Sequence, residues 1–138
     1  MTDGEWACVW REMTATERDL AALQGRWEQT GLEADGVTDP PDEHSSDGAL
    51  TTFAGLTFSV RALDGNVLLE GAFELDASTT PPSVTWIDSI GEDAGKRLPA
   101  SYRLEGDDFV FIAGNEGAPR PTEFRTALGQ TMRTFRRR

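Results

Sequence analysis

The side chains that could carry out acid–base or nucleophilic chemistry are few in this sequence and lie far apart. His44 is the only histidine and Cys8 the only cysteine of the 138 residues. His44 belongs to the segment DPPDEHSSDG, whose prolines, serines and acidic residues are typical of an exposed loop. A serine or cysteine nucleophile needs a base held within hydrogen-bonding distance, which a loop histidine remote from Cys8 does not provide. The sequence therefore predicts no catalytic residues, and we expect a protein that is not an enzyme.

Acidic side chains around His44 are a second candidate for chemistry: Asp35, Asp39, Asp42, Glu43 and Asp47. Carboxylates can gather around a hard cation such as Ca²⁺, but an EF-hand needs them at alternate positions with a fixed glycine, and this spacing differs. We expect no metal site and no cofactor. A concentrated negative field instead speeds the encounter with a basic protein. The candidate partner-binding residues are Asp39, Asp42, Glu43 and Asp47.

The overall charge limits the class of partner. The formal net charge is −11, and nucleic-acid-binding domains normally carry a basic surface, so we expect no nucleic-acid partner. Residues 1–96 contain 19 acidic and 5 basic side chains, whereas residues 97–138 contain 5 acidic and 8 basic ones. The favoured interpretation is that acidic loops keep the protein soluble and that the basic last strand pairs with them.

The sequence also bears on the cellular compartment. No apolar run approaches the roughly 18 residues of a membrane-spanning helix, so no membrane partner is expected. The N-terminal MTDGEWACVW lacks the basic and apolar blocks of a secretory signal. A lone cysteine excludes an intrachain disulfide and fits a reducing compartment. We expect a cytoplasmic protein.

A short helix is predicted ahead of the first strand. In TATERDLAAL, Thr14 and Glu17 have the spacing of a capping box. Thr16 and Asp19 have the same spacing, and the sequence does not decide between the two pairs. The pattern predicts a helix over about residues 16–24, ended by the following glycine.

The rest of the chain consists of short β-rich runs separated by turn pairs such as Asp64-Gly65, which is the pattern of an all-β fold. Short antiparallel strands avoid exposed edges by closing into a barrel. We therefore predict a mainly β, eight-stranded antiparallel up-and-down barrel, with a sandwich as the alternative. Gly71, inside an apolar run, is expected to mark a bulge or sharp bend. The predicted strands lie near residues 26–34, 50–54, 56–63, 66–75, 83–88, 98–104, 108–113, 122–127 and 131–136.

Gly25-x-Trp27, at the exit from the helix, resembles the G-x-W signature of lipocalins and the wider calycin group. The segments DLAALQGRWE, LTFSV, GAFELDASTTPPSVTW, SYRLEGDDFVFIAG and RPTEF follow in the order of a planctomycete-rich family of uncharacterised lipocalin-like small domains, and the resemblance covers residues 17–138. It implies an eight-stranded up-and-down barrel with the N-terminal helix at its closed end, and no established reaction. It further implies that Trp27 packs across the barrel base against an arginine of the last strand, either Arg133 or Arg136.

The chain is long enough for one domain with one core. We assign residues 14–138 to a lipocalin-like barrel and residues 1–13 to an amphipathic N-terminal extension that has no counterpart in the resemblance. In the extension, an apolar stripe with helical spacing either docks over the end of the barrel or binds a partner. The stripe consists of Trp6, Val9, Trp10 and Met13.

The interior of a barrel of this size is either filled by side chains or holds one small ligand. The sequence leaves both alternatives open, because its large apolar residues cannot all point inward. Trp86 and Tyr102 are the candidate ligand-binding residues. The predicted function is a non-catalytic lipocalin-like binding module for a small apolar or amphipathic molecule. The alternative is an acidic cytoplasmic inhibitor, such as an immunity protein that blocks a basic toxin.

Overall fold

A computed structural model describes residues 14–38, 49–91 and 93–138 of the chain. One helix, α1 (Ala15–Leu23), precedes the strands. No helix within the described ranges has the length and apolar character needed to cross a membrane. The strands are β1 (Gly25–Ala34), β2 (Val37–Thr38), β3 (Leu50–Ala54), β4 (Thr57–Arg61), β5 (Val67–Asp76), β6 (Ser83–Asp88), β7 (Arg97–Glu105), β8 (Asp108–Ala113) and β9 (Thr131–Arg137).

The strands form a closed antiparallel barrel. Strand β1 pairs with β3, and each strand from β3 to β8 pairs with the strand that follows it in the chain. Strand β9 closes the circle by pairing with β1. The closing register runs from Trp27 opposite Arg137 to Ala34 opposite Thr131. The short β2 adds a two-residue extension beside the end of β1. The predicted eight-stranded up-and-down barrel is therefore confirmed.

Helix α1 lies at the end of the barrel where β1 begins. Its N-terminus is closed by a capping box in which the Glu17 N–H donates to Thr14 Oγ1 at 3.1 Å and the Thr14 N–H donates to Glu17 Oε1 at 3.2 Å. Thr16 is not the cap, because its hydroxyl accepts from the Ala77 N–H instead. Leu23 is buried in the core, so the helix docks on the barrel and closes its base.

The base of the barrel is a packed core with Trp27 at its centre. The Trp27 side chain is fully buried, and its indole Nε1 donates to the Leu23 carbonyl at 2.8 Å, which joins the end of α1 to β1. The ring lies 6.0 Å from that of Phe109. Phe73 and Val84 complete this buried layer, so side chains fill the base of the barrel.

The arginine over Trp27 is Arg137. The resemblance implied Arg133 or Arg136 instead. The Arg137 guanidinium lies 4.2 Å from the centre of the indole ring and donates to the backbone carbonyls of Ala22 and Gln24. Alternate residues of a strand face the same side. Arg133 therefore points inward at the other end of β9, whereas Arg136 points outward and is exposed.

The predicted strand at 122–127 is wrong. Residues 114–130 form an irregular connection that crosses the outer face of the barrel, because β8 and β9 already pair directly with each other. Side chains hold this connection: the Arg120 guanidinium donates to the carbonyls of Val84 and Ala100 at 2.7 and 2.6 Å. Phe124 consequently lies outside the barrel under the Arg103 guanidinium, 4.3 Å from it.

Gly71 does not mark a bulge. It pairs regularly with Phe58 on one side and Asp88 on the other, and the register shift between β4 and β5 occurs beside Leu68. A Cβ atom at Gly71 would lie 2.2 Å from the Ile87 carbonyl oxygen. The glycine is therefore required by the close approach of β6.

Candidate ligand cavity

The interior is filled at the base and open at the opposite end. A cavity of about 240 Å³ extends inward from this mouth. It ends on a floor of aromatic side chains that separates it from the packed base. The residues that line it are Gln29, Thr51, Phe53, Phe58, Val60, Leu69, Trp86, Asp88, Asp93, Leu98, Phe111, Ala113, Gly114, Asn115, Gly129, Thr131, Arg133 and Phe135.

The floor of the cavity is a cluster of rings around Trp86. The indole packs against Phe111 at 4.8 Å between ring centres and against Phe58 at 5.4 Å, in tilted and edge-on orientations. Phe53 lies further in, and Phe135 stacks on Phe111 from β9. Tilted and offset ring pairs are favourable arrangements, so rings from several strands together present a continuous aromatic surface to the cavity.

The indole nitrogen of Trp86 is the exceptional atom of this floor. Trp86 is 6 % exposed, and its Nε1 is the one buried side-chain nitrogen or oxygen among the described residues that has no hydrogen-bond partner. Such orphan donors are rare in native proteins because burying one without a partner is costly. The sequence identified Trp86 as a ligand-binding residue, and the structure places it in the cavity wall; its binding role stays a prediction.

The mouth is polar and carries both signs of charge. Arg133 extends from β9 and its guanidinium donates to Gln29 Oε1 on β1 at 3.1 Å. Asp88, which is 8 % exposed, and Asp93 lie on the opposite wall. Both Arg133 and Asp88 have further interaction partners. A molecule in the cavity would thus have an aromatic end below and a polar end at the rim.

A hydrogen-bonded clasp positions one side of the mouth. Glu33 Oε2 accepts from the backbone N–H and the hydroxyl of Thr126 at 2.6 and 2.7 Å, and the Gly36 N–H donates to that same hydroxyl. These hydrogen bonds lower the pKa of Glu33 below its ordinary value. Asp35 adds a bond from the Gly129 N–H at 2.7 Å. Because Gly129 lines the cavity, the clasp fixes the wall contributed by the long connection.

Tyr102, the other predicted ligand-binding residue, does not line the cavity. Its ring is 1 % exposed in the packed base, and its hydroxyl donates to Asp19 Oδ2 at 2.6 Å. Burial of the phenol, followed by its hydrogen bond to Asp19, raises the pKa of Tyr102 well above its ordinary value. Tyr102 thus joins α1 to β7 rather than facing the mouth.

Two other predicted surfaces lie outside the described residues. They are the acidic partner-binding set Asp39, Asp42, Glu43 and Asp47, and the N-terminal stripe of Trp6, Val9, Trp10 and Met13. Their roles stay predictions. Within the described ranges, no cluster of three or more histidine, cysteine or acidic side chains is arranged to hold a metal ion.

Phe135 and Leu69 are cavity residues that the sequence reasoning missed. Phe135 could have been identified from the alternation in TMRTFRR, which places it on the same face as Arg133 and Arg137. Leu69 lies on the same face of β5 as Phe73, so the same alternation could have identified it.

Comparison with protein-family models, curated proteins and solved structures gave no match for this chain.

Proposed function

We propose that the protein is a non-catalytic, lipocalin-like binding module that holds a small apolar or amphipathic molecule in the mouth of its barrel. The observation that carries the proposal is the division of the interior into a packed base and a cavity of about 240 Å³ with an aromatic floor. Ligand sites are typically concave and mostly apolar, with a few polar groups that fix orientation. The cavity has this composition.

The size of the cavity favours a compact ligand. Drug-sized molecules occupy pockets of roughly 300–1,000 Å³, whereas an engineered apolar cavity of about 150 Å³ binds benzene. A volume of about 240 Å³ suits one substituted ring. Half of the lining residues are aromatic or aliphatic, and these side chains bury a ligand without transferring protons to it.

The lipocalin-like assignment is supported by the base of the barrel. Trp27 of the G-x-W segment follows the helix and packs beneath an arginine of the last strand, as the resemblance implies. Arg137 is that arginine.

A matched pair of substitutions tests the binding proposal. Ala113 lines the cavity, whereas Ala72 precedes the inward-facing Phe73 on β5 and lies on the opposite face of that strand. Ala113→Leu fills part of the cavity, and Ala72→Leu adds the same atoms outside it. We expect cumene and similar compact aromatic compounds to bind the wild type and Ala72→Leu in calorimetric and ligand-observed NMR titrations, with at least about tenfold weaker binding to Ala113→Leu.

Two results would overturn the proposal. One is saturable binding that Ala113→Leu and Ala72→Leu leave equally unchanged, because the compounds would then bind elsewhere. The other is no saturable binding by the wild type to any compact ring compound tested.

A further inference from the structure

The barrel contains two buried indole groups that differ in the hydrogen bonding of their N–H groups. Trp27 donates its N–H to the Leu23 carbonyl, whereas the N–H of Trp86 has no partner among the described residues. Both rings are more than nine-tenths buried, and both sit among phenylalanine side chains. Only Trp86 borders the cavity.

The unpaired N–H lowers the stability of the barrel. A buried donor without a partner is costly, and a phenylalanine ring at the same position would avoid that cost. The neighbouring rings of Phe53, Phe58, Phe73 and Phe111 offer at most the weak acceptor of an aromatic face. The donor therefore has no structural use within the barrel comparable with that of Trp27.

We propose that Trp86 Nε1 is the specificity-determining donor of the cavity, and that the ligand is a compact ring compound with a carbonyl or equivalent acceptor directed at the floor. This inference rests on the proposed ligand-binding function and names the chemical class of the ligand. A site built to hydrogen-bond a ligand discriminates strongly against the analogue that lacks the partner group, because its own polar group is then left unpaired.

The environment of the nitrogen favours a ligand acceptor over water. The surrounding rings shield Nε1 even from a molecule the size of water, so an acceptor reaches it only when a ligand displaces one of those rings. A water does not do this, because it needs two or more polar partners, which an aromatic floor does not provide. A ring compound replaces the apolar contacts of any phenylalanine that it displaces, and it brings one acceptor. The polar mouth formed by Arg133, Gln29 and Asp88 then faces any second polar group of the ligand.

The experiment uses two ligands with the same number of heavy atoms. Acetophenone and cumene share one heavy-atom connectivity, with a carbonyl oxygen in acetophenone in place of a methyl group in cumene. Their affinities are measured by calorimetry for the wild type and for a variant in which Trp86 is replaced by benzothienylalanine, a bicyclic residue of the same shape without an N–H. The same replacement at Trp27 is the matched control.

We expect the ratio of acetophenone to cumene affinity to fall about fivefold to tenfold when Trp86 loses its N–H, as for the loss of one buried hydrogen bond. The replacement at Trp27 should leave that ratio unchanged and lower the melting temperature. The replacement at Trp86 should leave the melting temperature unchanged or raise it.

One contrary result is that the Trp86 replacement leaves the ratio of acetophenone to cumene affinity unchanged while Ala113→Leu still weakens the binding of both compounds. That result would overturn this inference and leave the binding function standing. A melting temperature lowered by the Trp86 replacement as much as by the Trp27 replacement would also overturn it, because the aromatic floor would then already satisfy the N–H. Failure of both compounds to bind the wild type would refute the inference together with the proposed function.

Discussion

Arg137 connects three parts of the barrel base with one side chain. Its guanidinium covers Trp27, donates to the last carbonyls of α1, and lies 3.4 Å from a carboxylate oxygen of Asp107 in the β7–β8 turn. Helix α1 has no basic residue in its own last turn. A cation at the helix C-terminus is favourable, and here the final strand of the barrel supplies it.

We expect Trp27→Ala to lower the free energy of unfolding by about 3–5 kcal/mol, because it leaves a cavity in the packed base. In a double-mutant cycle, Trp27 and Arg137 should show a coupling of about 0.5–2 kcal/mol, measured by denaturant unfolding. The matched cycle with the outward-facing Arg136 should be additive. Equal coupling to both arginines would contradict the observed register.

Tyr102 gives a second prediction at this scale, because it is the only tyrosine in the sequence. Its raised pKa keeps the folded phenol protonated where an unfolded phenol, with a pKa near 10, ionises. The folded state then binds more protons, so its stability is complete below about pH 10 and falls as the pH rises further. We expect tyrosinate absorbance to appear only on alkaline unfolding, and Tyr102→Phe to flatten the alkaline loss of stability. Tyrosinate forming near pH 10 in the folded protein would contradict the buried contact with Asp19.

The residue-scale contacts were only partly predictable from the sequence. The G-x-W segment and the arginine-rich end of the chain identified the two partners of the base contact. The choice among the arginines depends on the pairing of β1 with β9, which shifts register between Gln29 and Gly31. That register is a property of two distant segments together, so neither segment reveals it alone.

At the scale of elements, Gly71 determines how closely β5 and β6 approach. We expect Gly71→Ala to lower the free energy of unfolding by about 2–3 kcal/mol or more, because its Cβ would overlap the backbone of Ile87 and Asp88. Gly31→Ala, also within a strand, meets only ordinary contacts at 3.4 Å or more and should change stability by about 1 kcal/mol or less. Thermal unfolding of both variants checks this, and equal losses would contradict the special position of Gly71.

The clasp on the connection between β8 and β9 gives a second prediction for the elements. Thr126→Val keeps the shape of the side chain but removes the hydroxyl that bonds Glu33 and Gly36, whereas Thr126→Ser keeps the hydroxyl. We expect faster hydrogen exchange across residues 114–130 in the valine variant only. Because the pKa of Glu33 is lowered in the folded protein, its contribution to stability is complete above about pH 4.3 and is lost as the pH falls through the folded pKa. The difference in hydrogen-exchange rate between the two variants should therefore shrink in acid. A difference in rate that does not depend on pH would exclude Glu33 as the partner of Thr126.

The elements were the most predictable level of the structure. Turn residues such as Asp64-Gly65 and capping residues such as Thr14 and Glu17 act locally, so the sequence places most strands and the helix to within a few residues. Only the structure decides between the two capping pairs. The segment 122–127 has β-forming residues but no free strand edge to join, and that competition is decided by the whole sheet.

For the whole molecule, closure by β1 and β9 makes every barrel strand depend on both of its neighbours. We expect a single cooperative unfolding transition, with coincident midpoints for tryptophan fluorescence and for backbone circular dichroism. Separate midpoints would show that the aromatic base and the strands around the mouth unfold independently. The location of the cavity also depends on the whole molecule. The number of large apolar side chains can be read from the sequence, but only their packing in the folded barrel shows which end they fill.

The pairing of β1 with β9 also has a consequence for the nascent chain. Among the strands of the barrel, β1 is synthesised first and β9 last. The edge of β1 that pairs with β9 and the indole of Trp27 therefore stay exposed while the intervening strands emerge from the ribosome. Barrels dominated by such distant pairings fold slowly, and exposed strand edges invite aggregation. The barrel therefore closes only after β9 has left the ribosome, and chaperones that shield the exposed edge of β1 should raise its folding yield in the cell.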